Sequence, residues 1–151
     1  MEVLDLELTD EIAAAINGAY EAGTPVMVAY VDDQGYPHMS LRGTAQVFGP
    51  QQLAVWARNP EGGLPQAIAD RPRVSLFYRN PAARQIYVFY GRARLATDDE
   101  TRNAVYSSSP QRERESDPEQ RGLALIIDLD RVDGMSPERR FRMEPGAVPP
   151  A

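Results

Sequence analysis

Residues 26–95 decide the fold: VMVAYV (26–31), DDQG (32–35), PHMSLRGTAQVF (37–48), GPQQ (49–52), LAVWAR (53–58), NPEGGLPQAIADRP (59–72), RVSLFY (73–78), RNPAAR (79–84) and QIYVFYGRARL (85–95). The order is strand, turn, strand, turn, strand, short helix, strand, turn, strand. Val26, Val28 and Tyr30 alternate with Met27, Ala29 and Val31, apolar on both faces, as in a strand covered on two sides. Asp32-Asp33-Gln34-Gly35 reads as a hairpin turn in which glycine supplies the positive φ. Pro37–Phe48 reads as one long strand with Gly43 at its middle, the mark of a bulge, a bend or a close approach to the backbone. The helix over Leu64–Asp70 is opened by Glu61-Gly62-Gly63, whose backbone N–H groups offer a candidate anion seat.

On the N-terminal side, Thr9 is placed to cap a helix through DEIAAAINGAYEAG, with Asp10 and Glu11 in its first turn and Ile12, Ile16, Ala19 and Tyr20 on one face. On the C-terminal side, Thr97 or Asp98 caps a polar helix over DDETRNAVYSSS. The charged run PQRERESDPEQR that follows reads as a solvated face. Residues 122–133 read as a final strand, and the tail 136–151 is expected to be extended or disordered. The 151 residues form one domain with a core over about 9–135, mainly β with flanking helices. Strands of this length and bend suit a small six-stranded antiparallel barrel, because closure removes edge strands.

Composition narrows the function. With a net charge of −6 the chain lacks the clustered positive charge that nucleic acids or anionic membranes require. All 16 basic residues are arginine, which removes lysine Schiff bases and lysine nucleophiles. The absence of cysteine removes disulfides, thiolate catalysis, cysteine-ligated zinc and iron–sulfur clusters. No apolar run is long enough to span a bilayer and the acidic start has no secretory pattern, so a cytoplasmic location is expected.

Three segments together carry a resemblance. VAYVDDQGYPHMSLRGTAQVF has the form strand, D-x-x-G-x-P-x-x-S; LAVWARNPEGGLPQAIADRPRVSL leads a strand into a helix closed by R-P-R-V; IYVFYGRARLATDDE carries a G-x-A strand before an acidic turn. In this order they resemble the pyridoxamine-phosphate-oxidase-like split barrels that bind flavin or deazaflavin, over roughly residues 9–135. The resemblance implies a Greek-key split barrel of the FMN-binding type, a homodimer with a cofactor groove at each side of its interface, and a small-molecule substrate. It implies that the isoalloxazine lies against His38, Met39, Ser40, Leu41, Arg42 and Gly43, with Ser40 and Arg42 at its polar edge. The phosphate end falls near Trp56, Ala57 and Arg58 and the helix that follows. The family's basic pair at that helix falls here on Gly62 and Leu64, which leaves the amides of Gly62, Gly63 and Leu64, with Arg58 or Arg71, to hold a phosphate. The C-terminal ERRFRMEP has no histidine, so the founding oxidase activity is not expected.

Individual residues have two readings each. His38, the single histidine, is a strand-end residue or a cofactor contact, and its proximity to Ser40 and Asp32 falls short of a triad. Trp56 and Tyr87 are core aromatics or walls of the groove. Arg79, Arg84, Arg92 and Arg94 are surface ion-pair partners or a seat for an anionic tail. The expected function is a flavin- or deazaflavin-dependent oxidoreductase. The alternatives are a non-catalytic binder of flavin, haem or another tetrapyrrole, and a cofactor-free relative.

Overall fold

The computed structural model describes residues 1–147; the expected disorder of the last few residues lies outside that range. The order of elements is β1 (Glu2–Asp5), α1 (Asp10–Asn17), β2 (Val26–Val31), β3 (Pro37–Arg42), β4 (Gln46–Gly49), β5 (Gln52–Ala57), α2 (Gly63–Ile68), β6 (Arg73–Asn80), β7 (Gln85–Leu95), α3 (Asp99–Ser108), α4 (Gln111–Glu115), β8 (Leu123–Met135) and β9 (Arg140–Glu144).

The sheet runs β1-β9-β8-β7-β6-β2-β3, and β5 with β4 joins it through β8. The thirteen-residue β8 organises it. One edge pairs with β7 along most of its length, while the other serves β5 over Leu123–Asp128 and β9 over Val132–Met135. The ends of the wall, β3 and β4, are successive pieces of chain joined through Gly43-Thr44-Ala45. No ladder joins them among the described residues. The barrel is therefore split at this point.

The expectation of six antiparallel strands is corrected to nine strands in a mixed sheet. The segment expected as one strand over Pro37–Phe48 is two, because Gly43 bends out of the ladder under the Tyr20 ring and the Glu113 carboxylate. A Cβ at Gly43 would lie 2.8 Å and 2.7 Å from them. The other additional strands are the chain ends. β1 runs parallel to β9, pairing Glu2–Asp5 with Phe141–Glu144, so part of the tail is a paired strand. The first helix stops at Asn17 with Gly18 as its cap, six residues short of expectation, and the chain turns through Gly23 at φ 74°. Asp98, rather than Thr97, caps α3 by accepting from the Thr101 N–H.

Burial follows the alternation. Val26, Val28, Leu76, Phe89, Leu125 and Ile127 fill the barrel, and α1 adds Ile12 and Ile16. A smaller cluster of Ala54, Trp56, Ile126 and Val105 packs α3 on the outside of β5 and β8. Between β7 and β8 the register slips: Tyr90 faces Arg131 while Gly91 faces Leu129, leaving Asp130 as a bulged extra residue. The inward positions of β8 are 125, 127 and 129 before the bulge and 132 and 134 after it.

Phe141 ties β9 to the core beside Tyr87, with ring centroids 6.4 Å apart. Phe141→Ala is expected to cost about 3–5 kcal/mol, the range for removing a buried phenylalanine. Urea denaturation measures it; a loss under about 1 kcal/mol would show that β9 contributes little to the core.

Candidate functional site

The outer face of the sheet is built from the side chains that the core does not use. Cross-strand register aligns Met39, Ala29, Ser75, Tyr90 and Arg131 in one row across β3, β2, β6, β7 and β8. The next row along is Leu41, Met27, Phe77, Val88 and Asp133. Partners facing each other across a ladder share a face, so both rows point outward. The face is unusually apolar for an exposed one: Met39 is 71% exposed, Leu41 61% and Phe77 40%.

An open groove of about 860 Å³ lies at one end of this face. Ala29, Ser75 and Tyr90 line it with Tyr30, Val31 and Pro37 of the β2–β3 hairpin, and Arg73, Arg92, Asp130 and Arg131 are also in the lining. Arg73 stands directly opposite Arg92. Like charges in that position repel, and the bulged Asp130 answers only one of them, accepting from Arg92 Nε at 3.1 Å. Arg73 forms no ion pair or hydrogen bond through its side chain among the described residues. Arg131 stacks over the Tyr90 ring at 4.4 Å and donates from Nη2 to Asp133 at 2.9 Å; its Nε is buried without an acceptor. Burial pulls the Arg131 pKa down, but Tyr90 and Asp133 outweigh that and raise it. The groove thus has an apolar and aromatic floor with an arginine rim that is incompletely neutralised.

None of the thirteen sequence-expected site residues lines this groove, although Met39 continues its central row. Four of them are core. Trp56, Ala57, Leu64 and Tyr87 are each no more than 4% exposed. Tyr87 stacks on Tyr78 at 5.7 Å, and burial pushes its phenol up to about 12. Trp56 belongs to the cluster under α3, where its indole N–H donates to Asp117 Oδ2 at 2.9 Å. The aromatic residue of the groove is Tyr90 instead. Tyr87 and Tyr90 fall on opposite faces of β7, a distinction carried by the alternation of QIYVFY.

The glycine-opened helix offers less than its sequence implies. α2 has only six residues, and the Gly62 N–H already donates to the Asn59 carbonyl at 3.0 Å. Gly63 lies under the Tyr30 hydroxyl, which leaves no room for a Cβ. Arg58 is exposed at the end of β5, with no side-chain partner among the described residues.

Tyr30 links this helix to β3, since its ring stacks on His38 at 4.9 Å and 9°. His38 Nε2 meets Asp32 Oδ2 at 2.7 Å, and Asp32 Oδ1 accepts from the Gln34 and Tyr36 amides. The His38 bond and the Tyr36 amide hold the Asp32 carboxyl below its usual range. His38 is therefore a staple of the hairpin that forms one wall of the groove. Ser40 and Arg42 point to the face opposite Met39 and Leu41. No group of three His, Asp or Glu residues suited to a metal ion occurs among the described residues.

No protein-family model matches the chain, and no curated protein sequence matches it. Solved structures do. HupZ of Group A Streptococcus is 19% identical, covering 85% of this chain and 94% of its own with a TM-score of 0.67. A pyridoxamine 5'-phosphate oxidase-related, FMN-binding protein of Nostoc punctiforme is 15% identical, covering 84% and 81% with a TM-score of 0.65. A haem-binding protein of Mycobacterium smegmatis is 17% identical, covering 87% of this chain and 57% of its own with a TM-score of 0.63. The chain has the fold of the pyridoxamine 5'-phosphate oxidase-related split barrels, as the sequence resemblance implied.

Asp117 gives a test of the region around Trp56. Burial raises its pKa, but the Trp56 indole and the Arg121 and Gly122 amides outweigh this and hold the carboxyl below its usual range. A depressed carboxyl contributes stability above its unfolded pKa and loses it as pH falls through the folded value. Asp117→Ala is expected to cost about 3 kcal/mol at neutral pH, because buried donors lose their acceptor. The gap between wild type and variant should narrow as pH falls below the usual carboxylate range, as the depressed Asp117 carboxyl takes up its proton. Emission from Trp56, the single tryptophan, reports both effects.

Proposed function

We propose that this protein is a flavin- or deazaflavin-dependent oxidoreductase that works as a homodimer and binds its cofactor in the groove beside Tyr90. One observation carries the reading: a cross-strand row of small and aromatic residues, Ala29–Ser75–Tyr90, ends at three arginines with too few carboxylates to neutralise them. A planar ring with an anionic tail has the complementary chemistry, apolar at one end and charged at the other. Arg73, Arg92 and Arg131 would hold the phosphate, and Tyr90 with Ala29 and Ser75 would support the ring. A bound flavin supplies hydride or single-electron transfer; the protein supplies orientation, exclusion of water and positive charge for a reduced ring. The fold similarity to an FMN-binding protein supports the same class.

The dimer is proposed through the outer face itself. Met39, Leu41 and Phe77 form a continuous apolar surface beside the groove, and β3 is an edge strand. A second copy of the chain covers such a face symmetrically and would shield the groove from water.

Two measurements test the reading. In titrations with FMN, riboflavin, a deazaflavin and haemin, Arg73→Ala is expected to weaken FMN about 10- to 150-fold, equivalent to about 1.5–3 kcal/mol for a charge-assisted contact. Riboflavin, lacking the phosphate, should be unaffected. If no flavin or deazaflavin binds at micromolar concentration, the oxidoreductase reading falls; tight binding of haemin alone would favour a haem carrier. The paired change Met39→Glu and Leu41→Glu is expected to convert a dimer to a monomer in light scattering. A mass unaffected by it would place any interface elsewhere.

A further inference from the structure

A second recess, of about 260 Å³, lies on the inner side of β3, away from the outer-face groove. It opens where the wall is split, between α1 and the segment joining α3 to α4. Asn17, Tyr20, Arg42, Gly43, Gln46 and Ser108 are among the residues that line it. The walls are held firmly. Asn17 Oδ1 accepts from the Val47 N–H at 2.9 Å, which leaves its amino group as a free donor. Gln46 Nε2 donates to the carbonyls of Thr44 and Val105, each at 3.1 Å.

Arg42 is the unexplained member. It makes no ion pair and no side-chain hydrogen bond among the described residues, and its Nε is buried without an acceptor. Ser40 Oγ, two residues earlier on the same face of β3, is also buried and unpartnered. A half-buried guanidinium without a counter-charge is costly, and natural proteins rarely leave buried polar groups unpaired. The Glu113 carboxylate of α4 lies against the neighbouring Gly43, and no ion pair joins it to Arg42 among the described residues. Ser108 contributes a hydroxyl at the rim with no partner among the described residues.

We propose that this recess is a binding site for a small oxyanion, a phosphate or carboxylate group that supplies the counter-charge Arg42 lacks. The guanidinium is the main contact, with the Asn17 amino group and the Ser108 hydroxyl as further donors. The volume lies below that of pockets for drug-sized ligands, roughly 300–1,000 Å³, so the ligand is inorganic phosphate or a short carboxylate rather than a nucleotide. Glu113 stands against a second negative charge and sets the affinity. The site is independent of the proposed flavin groove, which uses other arginines on the other face.

Calorimetric titration of the full chain with inorganic phosphate and with acetate, at constant ionic strength in chloride, tests this. Saturable binding of at least one anion is expected, and the stronger of the two identifies the group that the site takes. Arg42→Gln should reduce the affinity at least tenfold, Arg73→Ala in the groove should leave it unchanged, and Glu113→Gln should increase it severalfold. The proposal is overturned if neither anion saturates at millimolar concentration, or if Arg73→Ala removes the binding. Should Arg42→Gln fail to fold, Glu113→Gln decides: unchanged or weaker anion binding overturns the site. Energetic coupling of Arg42 with Glu113 in anion-free denaturation, without anion binding, would assign Glu113 as the counter-charge and also overturn it.

Discussion

One extra residue in β8 governs the arrangement of the whole sheet. A strand has a side-chain period of two, so inserting one residue exchanges its faces from that point onward. Leu125, Ile127 and Leu129 point into the barrel before Asp130; after it Val132 and Gly134 do so. The exchange serves both halves of the strand. Before the bulge the outer positions Ala124 and Ile126 are apolar and lie under α3. After it the outer positions are Arg131 and Asp133, which belong on an open surface. Were the ladder to run through Asp130 without a bulge, Arg131 would point into a core that has no carboxylate to meet it.

The same irregularity produces the charge pattern of the groove. Asp130 stands outside the ladder and is free to reach Arg92, while Arg131 is turned outward onto the Tyr90 ring. Arg73 then remains as the unanswered charge. An anionic ligand at this rim would replace a repulsion already present in the protein, which is a stronger reason for binding than the presence of arginine alone.

Much of the barrel was legible because its strands are joined by short turns with their own signatures. VMVAYV, DDQG and PHMSLR form a hairpin whose turn chemistry and alternation agree, and the three strands 53–58, 73–78 and 85–95 lie where their apolar runs lie. The chain ends were not legible. EVLD and RFRME are short and charged, and EVLD pairs only with RFRME among the described residues, a partner from the other end of the sequence that no local pattern encodes. The bulge left a trace, since the apolar positions of β8 run 125, 127, 129 and then 132, a step of three among steps of two. The groove was least legible, because an aromatic residue on a strand announces burial or binding equally well. Only the register separates Tyr87 in the core from Tyr90 in the groove.

The pairing of β1 with β9 has a consequence for how the protein is made. Among the described residues β1 forms its one ladder with β9, across a separation of more than 130 residues (from Glu2–Asp5 to Phe141–Glu144). Contacts of such long range are closed late, since their loop entropy must be overcome first. Val3 and its neighbours therefore stay unpaired until β9 is in place. The acidic residues Glu2 and Asp5 at either side of that segment keep it soluble and unattractive to the edges of other nascent chains.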